Sequence, residues 1–188
     1  MAGVIASRIL FDTSDESGSQ FSACRRYRYA LWRLWDCSLK TVRFVGLNPS
    51  TANEYENDMT ITKEIGFAKR WGYGGIYKLN LYAYCATDPS EMIQADDPVG
   101  PNNDATFNYF RRHDALWVAC WGSSVPTRLR PNLQYQSRID RALNSIDGPV
   151  MCLGRTADGS PKHTSRLAYE TKLEHFWAPP SDFGPGND

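Results

Sequence analysis

The run Val42-Arg43-Phe44-Val45 breaks at Gly46-Leu47-Asn48-Pro49-Ser50-Thr51, and this break constrains the chain more than any other stretch. An apolar segment of that length, ended by glycine and a polar turn, reads as a buried strand leaving a sheet. In open α/β sheets, ligands bind outside the carboxyl ends of the strands. The turn therefore delivers Leu47, Asn48, Ser50 and Thr51 to the edge where chemistry is usually done.

Three further apolar runs repeat the pattern. Ile76–Ala83 carries Asn80 near its carboxyl end, Ala115–Cys120 stops at Trp121-Gly122-Ser123-Ser124, and Pro149–Leu153 enters a loop from Gly154 to Leu167. A polar amide inside such a run is costly unless it is satisfied, so Asn80 is expected to have a specific partner, either backbone or ligand. Helical spacing lies between the strands. Asp58 caps a helix whose apolar positions are Ile61, Ile65, Ala68 and Trp71, closed by Gly72; Asn103 or Asp104 caps a second to about Arg112; a third runs from about Leu133 to Ile146. This alternation predicts one α/β domain with a mainly parallel, four-stranded central sheet, helices on both faces, and all four turns at one edge.

The flanks carry weaker signals. Ile5 to Phe11 reads as a short strand, Asp12 to Gln20 as a mobile polar loop, and Cys24 to Trp35 as a solvated edge strand with a basic, aromatic outer face. The tail from Ala178 reads as frayed, which sets the domain core at about 25–177. With 188 residues, 41% hydrophobic and 13% aromatic, the chain can bury one sizeable core. Its 21 Lys and Arg balance 21 Asp and Glu, so any polyanion contact must use a local patch. Five cysteines without a C-x-x-C pair imply reduced thiols in a cytoplasmic protein, with no zinc or iron–sulfur site. No apolar run is long enough to predict a membrane span, and no leader pattern appears.

The four strand ends together resemble the uracil-DNA glycosylase superfamily. Gly46-Leu47-Asn48-Pro49 is similar to its first motif, in the asparagine-bearing form of the mismatch-specific thymine/uracil enzymes. Lys78-Leu79-Asn80-Leu81 resembles the strand whose asparagine reads the flipped pyrimidine, and Cys120-Trp121-Gly122-Ser123 the strand that ends in Trp-Gly. His163-Thr164-Ser165-Arg166-Leu167 keeps the histidine, serine and leucine of the last motif, with Thr164 and Arg166 in place of its prolines. The tyrosine and histidine that follow the first proline in the uracil-specific branch are Ser50 and Thr51 here, which argues against strict uracil specificity and for a larger or differently shaped base pocket. Many of these residues, with Asp58, Thr60, Ala86-Thr87-Asp88-Pro89 and Gly159 to His163, also resemble a bacterial and phage family known only as a domain of unknown function.

The superfamily resemblance implies a cofactor-free, monomeric enzyme that flips a modified pyrimidine out of double-stranded DNA and leaves an abasic site. Glucosylated hydroxymethylcytosine in phage DNA is the expected substrate, by analogy with antiviral glycosylases. Asn48, Asp58 and His163 are the candidate catalytic groups. Asn48 has a carbonyl that can orient water towards C1′, Asp58 can activate that water or oppose a sugar cation, and His163 can donate to the leaving base. Asn80, with Leu47 and Tyr82, is expected to hold the base; Tyr55 and Phe67 are other candidates for stacking. Ser50, Thr51, Ser123, Lys162, Ser165, Arg166 and Leu167 are expected to contact DNA, with Leu167 as the wedge and Arg128, Arg130 and Arg155 adding positive charge. Two other functions fit the same residues: a small-molecule nucleoside or nucleotide hydrolase or transferase, and a nucleic-acid binding protein without catalysis. Asn48 can also serve only its turn, and Asp58 only its helix.

Overall fold

A computed structural model describes residues 16–50, 52, 55–111 and 115–179. The expected strand at Ile5 to Phe11, the start of the polar loop, Thr51, His113, the end of the tail and the side chain of Arg128 lie outside the described residues.

Seven strands form one sheet: β1 (Ser17–Phe21), β2 (Arg28–Leu34), β3 (Thr41–Gly46), β4 (Gly75–Asn80), β5 (Leu116–Ala119), β6 (Val150–Cys152) and β7 (Glu174–Trp177). Their spatial order is β1-β2-β4-β3-β5-β6-β7. Strands β4, β3, β5 and β6 pair in parallel, whereas β1 with β2, β2 with β4, and β6 with β7 are antiparallel. The mainly parallel, four-stranded sheet expected above is thus corrected to a seven-stranded mixed sheet.

The physical reason lies in what flanking strands need. The outer strand β1 reads Ser-Gly-Ser-Gln-Phe, and β7 reads Glu-His-Phe-Trp. Both are held by ladder hydrogen bonds that any side chain permits, so neither displays an apolar run. The polar loop therefore ends as strand from Ser17 onward. β1 pairs with β2, so the latter is not an edge, and Arg28 and Arg33 are buried rather than solvated, donating to the Ala52 carbonyl and to Asn57 Oδ1.

Helix α1 (Met59–Arg70) covers one face of the sheet, where Ile61, Phe67 and Ala68 pack against Val42, Phe44, Ile76 and Val118. Asp58 caps it, accepting the Ile61 N–H at 2.8 Å, and the chain turns out through Gly72 at φ +78°. On the other face, α3 (Asn103–Phe110) and α4 (Tyr135–Asn144) bring Phe107, Phe110, Ile139 and Leu143 onto Val45, Leu79 and Trp117. A short helix α2 (Pro89–Gln94), opened by Asp88 and proline at its first position, stands where a loop is expected. The cap of α3 is Asn102 rather than Asn103 or Asp104. Asn103 instead buries its amide, donating to the carbonyls of Asn80 and Leu81 at 3.1 and 3.0 Å, and so fixes the carboxyl end of β4.

Candidate active site

Parallel pairing aligns the strand ends that the site uses. Gly46 lies opposite Asn80, and Val45 opposite Ala119, with the Cys120 N–H donating to the Val45 carbonyl at 2.8 Å. A pocket of about 230 Å³ opens above these ends, and Leu47, Asn48, Ser50, Asp58, Asn80 and His163 all line it. Residues separated by more than a hundred positions in sequence thus meet around one small space, below the ~300 Å³ typical of sites for drug-sized ligands.

The first turn is fixed through its asparagine. Asn48 Nδ2 donates to the Ala86 carbonyl at 2.8 Å and to the Pro49 carbonyl at 3.1 Å. With both donors committed to backbone, Oδ1 is the group Asn48 offers the pocket. Gly46 is required beneath it. A Cβ there would stand 2.7 Å from Asn80 Oδ1 and 2.9 Å from Lys78 Nζ, so only glycine lets the two polar side chains approach the backbone this closely.

Asn80 is 1% exposed, and neither Oδ1 nor Nδ2 has a hydrogen-bond partner. Leaving a buried polar group unmet costs about 1–3 kcal/mol. Of the two kinds of partner expected for this amide, none is supplied by the backbone, and Asn80 lines the pocket wall.

Below the pocket lies an ionic cluster. Glu64 Oε1 accepts from Lys78 Nζ at 2.5 Å, from Thr164 Oγ1 at 3.1 Å and from Cys120 Sγ at 3.4 Å. Burial opposes charge on Lys78, but its hydrogen bonds to Cys120 Sγ and to the Glu64 carboxylate outweigh burial and raise its pKa. Burial pushes the Cys120 thiol up to about 12, so it stays protonated at neutral pH and Glu64 is the counter-ion. Lys78 also reaches the pocket lining. Arg28 does so too; it is 2% exposed, donates to the Ala52 carbonyl and keeps Nε unpartnered, and burial draws its pKa down.

His163 arrives on the loop after β6. That loop is pinned by an Arg155–Pro161 bridge, by the Gly122 N–H to the Pro161 carbonyl at 2.9 Å, and by the Lys162 N–H to the Gly154 carbonyl at 2.8 Å. A 3-10 turn, Thr164–Arg166, follows, and its Thr164 is anchored on Glu64. His163 Nδ1 lies 2.9 Å from Ser165 Oγ and accepts the Ser165 N–H at 3.4 Å, which leaves the proton of a neutral ring on Nε2. The ring is open to solvent on one side, yet burial of the remainder and the nearby Lys78 charge lower its pKa to about 4. The imidazole is thus neutral at pH 7.

Beyond His163 the pocket widens into a groove of about 500 Å³ lined by Ser123, Lys162, Ser165, Arg166 and Leu167. The structure places the other residues named from sequence as follows. Tyr82 is fully buried, donates its hydroxyl to the Leu133 carbonyl at 3.3 Å and does not line the pocket. Phe67 is interior to α1, whereas Tyr55 is 89% exposed. Leu167 lines the groove but is also packed against the α1 core cluster. Arg130 pairs with Asp158, and Arg155 lies 3.8 Å from Glu174, so Lys162 and Arg166 are the cations that line the groove.

Sequence reasoning did not single out Arg28, Lys78, Glu64 or the wall residue Trp121 as parts of the site. Signals for two of them were present. A lysine inside the apolar run 76–83 and a glutamate three positions after Ile61, on the buried side of α1, are both too costly to bury apart. Among the described residues, no three His, Cys, Asp or Glu converge as metal ligands, and no helix is long and apolar enough to cross a membrane.

Residues 28–164 match the family model described as "Protein of unknown function (DUF1643)". The chain belongs to this family. No curated protein and no solved structure matches it. The DUF1643 span runs from Arg28 to Thr164 and so encloses every residue that lines the inner pocket, while Ser165, Arg166 and Leu167 of the outer groove follow it.

Proposed function

We propose that this DUF1643 protein is a monofunctional DNA glycosylase, acting in the cytoplasm on a modified pyrimidine that is flipped out of the duplex. The observation that carries the reading is Asn80: a buried amide with donor and acceptor both unmet, in the wall of the inner pocket that continues into the outer groove. An amide presents the pair of groups that a pyrimidine edge complements.

The neighbouring groups fit the remaining work. Asn48 Oδ1 accepts from a water aimed at C1′, and the free carboxylate oxygen of Asp58 takes up positive charge or a proton as the sugar becomes oxocarbenium-like. Neutral His163, protonated on Nε2, donates to a carbonyl oxygen of the departing base, a contribution of about 3–4 kcal/mol by analogy with lost oxyanion donors. The outer groove, with Lys162, Arg166 and the hydroxyls of Ser123 and Ser165, suits the phosphates on either side of a flipped nucleotide. The resemblance of the strand ends to the uracil-DNA glycosylase superfamily supports the same chemistry, and its antiviral members support phage DNA with hypermodified cytosine as the target.

The test is incubation with duplexes that contain unmodified bases, uracil, hydroxymethylcytosine or glucosylated hydroxymethylcytosine, followed by alkaline cleavage. Breaks confined to one modified DNA, and lost in Asn48→Ala, are expected. Intact DNA throughout, with base released from free nucleosides instead, would replace the DNA substrate by a small molecule.

A further inference from the structure

Lys78 is the one pocket-lining ammonium held by a fully buried carboxylate among the described residues. Its partner Glu64 places it with a single oxygen, Oε1, that also receives Thr164 Oγ1 and Cys120 Sγ, so β4, the residue after β5 and the turn after His163 meet at that atom. Lys78 Nζ and Asn80 Oδ1 both close in on Gly46, within 2.9 Å of where a Cβ would stand, and both side chains line the pocket. A charge this costly to bury, aimed beside the group that meets the ligand, is poorly explained by stability alone, since an apolar pair of similar volume would serve as well or better.

We propose that Lys78 is a catalytic residue that holds the negative charge developing on the departing base, with Glu64 as its positioning residue. This rests on the glycosidase reading above. The C1′–N1 bond breaks heterolytically and its electron pair passes to the base, spreading from N1 onto the adjacent carbonyl oxygen; water then adds its oxygen to C1′. The water's proton leaves through Asp58 to solvent, and the base anion is protonated at N1 after departure. The atoms balance as nucleotide plus water giving abasic sugar plus free base. The ammonium supplies charge at the moment of cleavage and stays protonated, which also excludes it as an amine nucleophile for strand-cutting chemistry.

The experiment compares the full-length protein with Lys78→Met and with Lys78→Met/Glu64→Gln, the latter relieving the carboxylate left behind. Duplexes carry one deoxyuridine substituted at position 5 with methyl, hydrogen, bromine or fluorine, a series in which the leaving base becomes progressively more acidic. If Lys78 holds the leaving charge, both variants lose about a hundredfold or more on the poorer leaving groups, and the loss shrinks towards fluorine. An equal loss across the series assigns Lys78 a structural role and overturns the proposal while leaving the glycosidase reading intact. Binding is read in parallel with 5-nitrouracil, which is anionic at neutral pH, against neutral uracil. A preference for the anion that falls at least tenfold in both variants is expected. Such a preference in a protein that cleaves none of these or the earlier duplexes would keep Lys78 as an anion-holding group and remove the glycosidase reading; no preference in the wild type would overturn the Lys78 proposal.

Discussion

Lys78 Nζ lies 2.5 Å from Glu64 Oε1, and neither side chain is more than 5% exposed. Two such groups stabilise each other only together. Glu64→Leu leaves a buried ammonium unpaired and is expected to cost about 3–5 kcal/mol, whereas Glu64→Leu/Lys78→Met recovers most of that loss. Urea unfolding of the two single variants and the double variant measures the coupling. Recovery should be incomplete, since Thr164 also loses its acceptor.

Asp58 both caps α1 and faces the pocket, and two substitutions separate these roles. Asparagine caps as well as aspartate, so Asp58→Asn should retain the melting temperature, while Asp58→Ala should lose about 1 kcal/mol. Base release should fall about a hundredfold or more in both, the scale of general acid–base help. Full activity in Asp58→Asn would confine Asp58 to capping.

The pKa of His163 near 4 gives pH dependence a definite sign. Between its folded value and the ordinary 6.5, the unfolded chain binds the proton and the folded chain does not. Its contribution to stability is therefore fully present above about pH 6.5 and is lost as pH falls towards 4. His163→Gln should flatten that part of the stability profile. The activity limb that belongs to this histidine should lie near pH 4, leaving it neutral and donating at pH 6 to 8.

An unpartnered buried amide costs stability. Asn80→Leu removes both unmet groups at nearly constant volume and is expected to raise stability by about 1–2 kcal/mol while abolishing base release. Thermal unfolding and the abasic-site assay on the same preparation check both halves.

Much of the site was legible because its residues sit where patterns break. The apolar run that breaks at Gly46, the run Ile76–Ala83 that carries Asn80 and the run Ala115–Cys120 hold β3, β4 and β5, β4 ending at Asn80 itself, and Asp58 with Gly72 bounds α1 as its spacing suggests. Arg28 was illegible for a physical reason. Tyrosine and arginine alternating in β2 look like one dry and one wet face, but the wet face is covered by chain about 24 positions away, where Arg28 meets Ala52 and Arg33 meets Asn57. Strands β1 and β7 were missed because ladder hydrogen bonds leave no trace in side-chain pattern. The Lys78–Glu64 pair spans two elements, so local periodicity shows each charge as an anomaly without showing its partner.

The most direct measurement is mass spectrometry of both products after incubation of the susceptible modified duplex in ¹⁸O-labelled water. Free modified base, intact phosphodiesters and one ¹⁸O atom on the abasic sugar are expected, and none of these in Asn48→Ala or Asn80→Leu. Recovery of the base still attached to its sugar, or of cut strands without an abasic intermediate, would contradict glycosidic hydrolysis in this pocket.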